Sequence, residues 1–490
     1  MVGWSRRPRR RRHRAGADDL RKDRRVSTIS APLTVPVPWP SLPTHRAWLD
    51  AEARRLLAFG AAAALPAGPH GGGGAAYLDA AGRPDPAFGT QAWITARTVH
   101  SYALGHLMGV PGSAAVAGAA LGGLLGEGAP LRDAEHGGWF HAVGPDGAPD
   151  RESGKSCYDH AFVMLAGASA TMAGLPGGPE LLAEATAVYL ERFWDDGAGR
   201  PVDTWDVTFT ELDDYRGLNA TMHSLEALLA VADAVGLSSE GQAREWRGRA
   251  AQIGRFVTGL AAQHEGRLPE HFGPDWVPDL ELNRDRPGDQ FKPFGATPGH
   301  GLEWARLLLH LEAATTLPAA SPAVPAEPTP GTAERGGATA ATTPLAETAA
   351  LLFERAVTDG WAPDGADGFV YTTDWQGDPV VATRMHWVVA EGIAAAAALH
   401  ARTGDERYAG WYATWWDYAE RYLIDRDNGS WHHELDPANR PADTVWPGKP
   451  DVYHALQATL VPRLPLAPML AGALRQGRLR AGDVPSGALA

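Results

Sequence analysis

The sequence predicts an all-α fold in which six helical hairpins close into an (α/α)6 barrel, and three observations lead there. Apolar residues recur at helical spacing in twelve segments, roughly 44–59, 92–108, 113–126, 157–173, 180–193, 217–235, 239–260, 299–314, 345–358, 386–402, 405–423 and 451–461. The connections alternate: those after odd-numbered segments run about 25–40 residues and are rich in Gly, Pro, Asp and Trp, whereas those after even-numbered segments are short. Short turns join antiparallel helices, and six such pairs can form a ring with the even-numbered helices inside. The even-numbered segments are also the more apolar, as in 161–166, 225–231 and 390–399, and a helix apolar all round belongs in the interior.

With 490 residues, 44% of them hydrophobic, and 18 Trp, the chain can bury a large core. The length alone suggests two or three domains, but a toroid gathers residues 44–475 into one. Residues 1–25 carry eleven Arg or Lys against three Asp, a local +8 that leaves −22 of the net −14 on the remainder. An acidic body argues against nucleic acid as the partner. The basic head lacks the apolar stretch of a signal peptide, and residues 1–31 are expected to be a disordered extension. The Pro/Ala/Thr/Glu tract at about 315–343 interrupts the one long even-to-odd connection and is expected to be a low-complexity surface insertion. No apolar run is long enough to span a membrane. A single cysteine, Cys157, excludes a disulfide framework and fits a cytoplasmic protein. Nothing in the sequence bears on oligomeric state.

Polar and aromatic residues open each inner segment in turn. The second carries Trp93 and Arg97; the fourth opens with Lys155, Tyr158, Asp159 and His160; the sixth holds Asn219, Met222, His223 and Glu226. The eighth has His300 and Glu303, the tenth Arg384, His386, Trp387 and Glu391, and the twelfth Asp451 and His454. A scaffold without a function would place Leu and Ala at most of these positions. In 291–304, Pro and Gly break the chain before a helix for which Thr297 is the expected cap. His300 and Glu303 then share one face of the first turn, where a glutamate can orient an imidazole for acid–base work. Taken alone, a capping His and a first-turn Glu explain that pair equally well.

Metal sites favour tighter spacing, such as His-x-His or His-Glu-x-x-His, and neither occurs; His432-His433-Glu434 is a poor chelate. A glycoside hydrolase needs two opposed carboxylates, for which Glu270, Asp275, Asp279 and Glu303 are available, but the set is richer in His than in acid. Neutral imidazoles suit moving a proton from a carbon alpha to a carbonyl, with Arg and His holding the enediolate oxygens.

At these residues the chain resembles the N-acylglucosamine 2-epimerase superfamily, and within it the aldose–ketose isomerases that act on mannose and on sulfoquinovose. The resemblance rests on 93–106, 155–162, 215–226, Leu268-Pro-Glu-His-Phe272 with Trp276, 291–304, 362–368 with Asp374-Trp375, 411–416, 429–436, and Asp451-Val-Tyr-His454 followed by 461–468. It implies that His454 takes the proton from C2 of the sugar and returns it to C1, while His300, oriented by Glu303, opens the ring and moves protons at the oxygens. It implies that Arg97 and His223 polarise O1 and O2, and that Trp93, Asn219, Met222, Trp387 and Trp446 line the sugar pocket, which Tyr158 also faces. No metal or nucleotide cofactor is implied. In the sulfoquinovose branch a Gln stands where this chain has His433, and only Lys292 and Arg384 offer extra cations near the motifs. The expected reaction is therefore D-mannose (or lyxose) to D-fructose (or xylulose), with sulfoquinovose isomerisation and 2-epimerisation as alternatives. A non-catalytic sugar-binding relative would lack one of His300, His454 or Arg97, and all three are present.

Overall fold

Helices run in chain order as α1 (Pro43–Gly60), α2 (Ala92–Leu107), α3 (Ser113–Leu121), α4 (Cys157–Met172), α5 (Gly178–Val188) and α6 (Leu218–Val235). They continue as α7 (Glu240–Gln263), α8 (Pro298–Thr316), α9 (Pro344–Gly360), α10 (His386–Thr403), α11 (Glu406–Tyr418), α12 (Tyr453–Leu460) and α13 (Leu470–Arg475). The computed structural model describes residues 31–66, 72–126, 128–316 and 343–482. In it α2, α4, α6, α8, α10 and α12 each pack on the next, and α12 returns to α2. Helices α3, α5, α7, α9 and α11 lie outside, each against the inner helix before it, and α1 covers α12. This is the expected (α/α)6 barrel.

Burial explains which helices went inside. Every residue of α2 from Ala92 to Gly105 is buried. In α7 the buried positions are Ala243, Trp246, Ala250, Ile253, Gly254, Val257, Leu260 and Ala261, one stripe at helical spacing. The short α13, which the periodicity did not reveal, packs against α2, α4 and α6. Its approach is tied by the Met469 N–H to the Asp233 carboxylate at 2.6 Å.

The long loops do more than connect. A residue pair just before each inner helix bonds to the following long loop: Thr90–Gln91 with Ala142–Val143, Lys155–Ser156 with Thr204–Trp205, Arg216–Gly217 with His271–Phe272, and Arg384–Met385 with Glu434–Leu435. Ala296 pairs with Thr373 in the same way, and the Lys449 N–H reaches back to the Leu78 carbonyl at 2.9 Å. The main chain thus forms a closed rim at the N-terminal ends of the inner helices. Gly295 is required there: its φ is +93°, and a Cβ would lie 2.1 Å from the Thr373 carbonyl oxygen. The rim also caps the inner helices. The first N–H of α2, α4, α6 and α10 donates to the carbonyl of His141, Asp203, Glu270 and His433 respectively, at 2.7–3.0 Å.

The expected extension over 1–31 and insertion over 315–343 fall outside the described residues, apart from Ala31, Thr315, Thr316 and Thr343. No helix among the described residues is long and apolar enough to cross a membrane.

Candidate active site

Inside the rim lies a cavity of about 710 Å³ including its open mouth. Each inner helix contributes from its first turns: Trp93 and Arg97, Tyr158, Asn219 and His223, His300 and Glu303, His386 and Trp387, and His454. The rim adds Gln290, Phe291, Tyr371, His433, Trp446 and Asp451. Of the residues expected in the pocket, Met222 is the exception. It is fully buried in the core and does not line the cavity, whereas Asn219 and His223 on the same helix do.

His454 is held from behind. Its Nδ1 lies 2.9 Å from Glu391 Oε1, and Glu391 Oε2 accepts from Arg306 Nε at 2.8 Å. Arg306, 1% exposed, also approaches Glu303 (3.3 Å) and Glu226 (3.9 Å). Burial works against the Glu391 charge, but Arg306 and His454 overcome it and hold its pKa low. Glu303 is the opposite case: burial, then the Glu391 and Glu226 charges, push its carboxyl well above the usual range. Burial lowers the His454 pKa, with Glu391 acting against that. His454 is therefore a neutral imidazole with its proton on Nδ1 toward Glu391, and its Nε2 lone pair is free for the cavity. Arg306 was unremarked in the sequence. Its signal was a charge three residues after Glu303 in an otherwise apolar helix, which must be buried and paired.

The expectation that Glu303 orients His300 is corrected. The carboxylate beside His300 Nδ1 is Glu270, at 2.9 Å, although neither atom is aligned for a hydrogen bond. Glu303 sits one turn deeper and is drawn toward Arg306, while the rim carries Glu270 to His300 as its carbonyl caps α6. The Thr297 cap is corrected too: its carbonyl accepts from the Gly301 N–H at 3.2 Å, but its buried hydroxyl has no partner. Trp387 lies between the two imidazoles, 5.1 Å from His300 and 5.8 Å from His454 by ring centroid. Gly299 makes room for it, since a Cβ there would sit 2.5 Å from the indole.

Arg97 donates to Tyr158 Oη at 2.9 Å and Asp451 Oδ2 at 3.2 Å, under the rings of Trp93, Phe162 and Tyr453. Burial opposes its charge, but Tyr158 and Asp451 more than restore it and raise its pKa. His223 is held neutral, its pKa lowered by burial to about 4, with Nδ1 at 3.5 Å from Glu226 and 3.9 Å from Glu303. Glu226 accepts from the Tyr453 hydroxyl and from Gln457 Nε2.

His433 faces the cavity with its ring flat on His386. Trp446 is fixed by its rim loop, where Glu434 accepts from the Val445 and Trp446 N–H groups at 2.7 and 2.9 Å. Neither extra cation reaches the site: Arg384 is spent on Asp364 at 2.7 Å, and Lys292 stands over the Tyr215 ring. Lys155 is bound to Asp133 at 2.7 Å and is structural. Two groups bring three metal-type donors together, His223–Glu226–Glu303 and Glu303–Glu391–His454. Arg306 already stands among all three carboxylates, and the oxygens of Glu226 and Glu391 are engaged, so the set reads as a proton-holding network.

A D-mannose isomerase of Thermobifida fusca is 49% identical over 438 residues, covering 89% of this chain and 98% of the relative. A second D-mannose isomerase, of Pseudomonas cannabina pv. alisalensis, is 42% identical over 440 residues, covering 89% and 97%. A solved D-mannose isomerase superposes with a TM-score of 0.71 at 24% identity, covering 84% of this chain and 96% of that one, which bears on the fold. The family model for N-acylglucosamine 2-epimerase (GlcNAc 2-epimerase) matches residues 73–329 and 330–458. The chain is an isomerase and belongs to the N-acylglucosamine 2-epimerase family.

Proposed function

We propose that the protein interconverts D-mannose and D-fructose as free monosaccharides, through a cis-enediol(ate), with no cofactor. The observation that carries this is the pair His454 and His300, two imidazoles each beside a carboxylate, sharing one wall through Trp387. The relatives at 49% and 42% identity bear the name of that reaction. Among the described residues the only cation lining the cavity is Arg97, and it is already paired with Asp451. That suits an uncharged sugar better than a sulfonated one.

In the proposed reaction His300 serves ring opening at the anomeric oxygen. His454 Nε2 then takes the C2 proton. The C2–H electron pair forms the C1–C2 double bond as O1 gains a proton, with Arg97 and His223 holding O1 and O2. His454 returns its proton to C1, O2 gives one up, and the carbonyl stands at C2. Glu391 steadies the imidazolium between those steps, and each acid–base group contributes roughly 10²–10⁴ in rate.

The test is NMR of the purified protein with D-mannose in D2O containing EDTA. Fructose bearing deuterium at C1 is the expected product. Glucose instead would make the protein a 2-epimerase, and unreacted mannose with sulfoquinovose turned over would move the substrate to the sulfonated sugar.

A further inference from the structure

His433 and His386 are stacked, with ring centroids 3.8 Å apart and planes 21° from parallel. Both line the cavity and both are buried, at 7% and 5% exposure. His386 Nδ1 lies 3.2 Å from the His433 carbonyl oxygen, to which it can only donate. That fixes the tautomer and leaves Nε2 as a lone-pair acceptor, which is buried and has no partner. A buried acceptor left unpaired is costly, so a ligand that supplies a donor is favoured. The His386 ring also stands edge-on to His454, 6.3 Å away at 83°, which places this acceptor beside the reacting end of the site.

The stack also excludes charge. Burial, then His454, holds His386 at about 3; burial, then His386, holds His433 well below its ordinary value. The charged groups acting on the pair are Arg97 and Lys449, which oppose protonation, and Asp451, which favours it. Arg97 is paired with Asp451, and Lys449 with Asp425 at 2.6 Å. Protonating either ring would put a positive charge against its stacked neighbour inside the protein.

We propose that His386 Nε2 accepts a hydrogen bond from a hydroxyl of the bound sugar, and that the stacked pair selects neutral sugars over those carrying an anionic substituent. This rests on the reading of the site as a sugar site, not on mannose in particular. An anion seated against the pair would find no N–H cation, whereas a hydroxyl needs none.

The experiment measures kcat and KM for D-mannose, D-lyxose and sulfoquinovose with the wild type and with His386→Phe and His386→Gln, together with melting temperatures. Phe keeps a flat ring on His433 and removes the acceptor; Gln restores an acceptor without the ring. The wild type is expected to prefer a neutral sugar by about 100-fold or more in kcat/KM over sulfoquinovose. His386→Phe should raise KM for that neutral sugar about tenfold at little change in Tm, and His386→Gln should recover part of the loss. An unchanged KM in folded His386→Phe would reduce the ring to packing and overturn the assignment. Sulfoquinovose used as well as the neutral sugars would overturn the selectivity. If lyxose is converted and mannose is inert, the proposed substrate falls while the His386 assignment is read on lyxose.

Discussion

His454 and His300 each have a carboxylate oxygen 2.9 Å from Nδ1, yet the surroundings of the two contacts differ. Glu391 is aligned with His454 and is backed by Arg306, which joins it to Glu303 and Glu226 in a buried network. Glu270 is out of line with His300, stands on a rim loop, and pairs with no cation among the described residues. An aligned, counter-charged carboxylate fixes one tautomer and steadies an added proton, which suits a group that takes a proton from carbon and gives it back. A loosely placed carboxylate leaves the ring free to donate or accept, which suits transfers between oxygens that change direction within one turnover. Proximity alone does not distinguish the two roles; the support behind each carboxylate does.

That contrast can be broken from either side. His454→Asn should lower kcat by about 10³ and abolish exchange of the C2 hydrogen with solvent, read by NMR, while the fold is kept. C2 exchange persisting in a folded variant would remove His454 as the base. Arg306→Met removes the cation beside Glu391, Glu226 and Glu303 and should cost about 3–5 kcal/mol of stability in denaturant unfolding, since removing one partner of a buried ionic set leaves uncompensated charge. Glu391→Gln should lower kcat by about 100-fold. It should also move the acid limb of the kcat/KM profile. In the wild type burial places the His454 pKa below 6.5, so the active neutral form persists under mildly acidic conditions. Glu391 favours the protonated ring, so its loss shifts that limb to still lower pH. A limb that moves upward would contradict the assigned partnership. The smallest effect belongs to Glu270→Gln, about tenfold in kcat on mannose. If it matches Glu391→Gln, the two carboxylates are equivalent and the distinction drawn from their support is wrong.

The helices were legible because burial leaves a period in the sequence. The segment read as 157–173 is α4 at Cys157–Met172, and 386–402 is α10 at His386–Thr403. The alternation of connection lengths placed the inner helices and sent Arg97, His223, His300 and His454 to one end. What escaped was settled across the ring. The rim strands are mostly two residues long, too short for any periodicity, and their partners lie in the next long loop. Glu270 reaches His300 by such a pairing, so helical spacing favoured Glu303, the nearer residue in sequence. Met222 stands three residues from Asn219, near the same side of α6, and spacing alone does not separate a side chain that reaches the cavity from one that stays in the core.

The sixth hairpin differs from the other five in having its two helices at opposite ends of the described chain: α12 packs against α1, and Lys449 returns to Leu78. The five hairpins from α2 to α11 carry Arg97, His223, His300 and Glu391. The proposed proton-abstracting group arrives only with the segment that shuts the circle. Chemistry and closure are thereby tied to one event, and a chain that stops short of α12 would hold most of the binding wall yet have nothing to draw the proton from carbon.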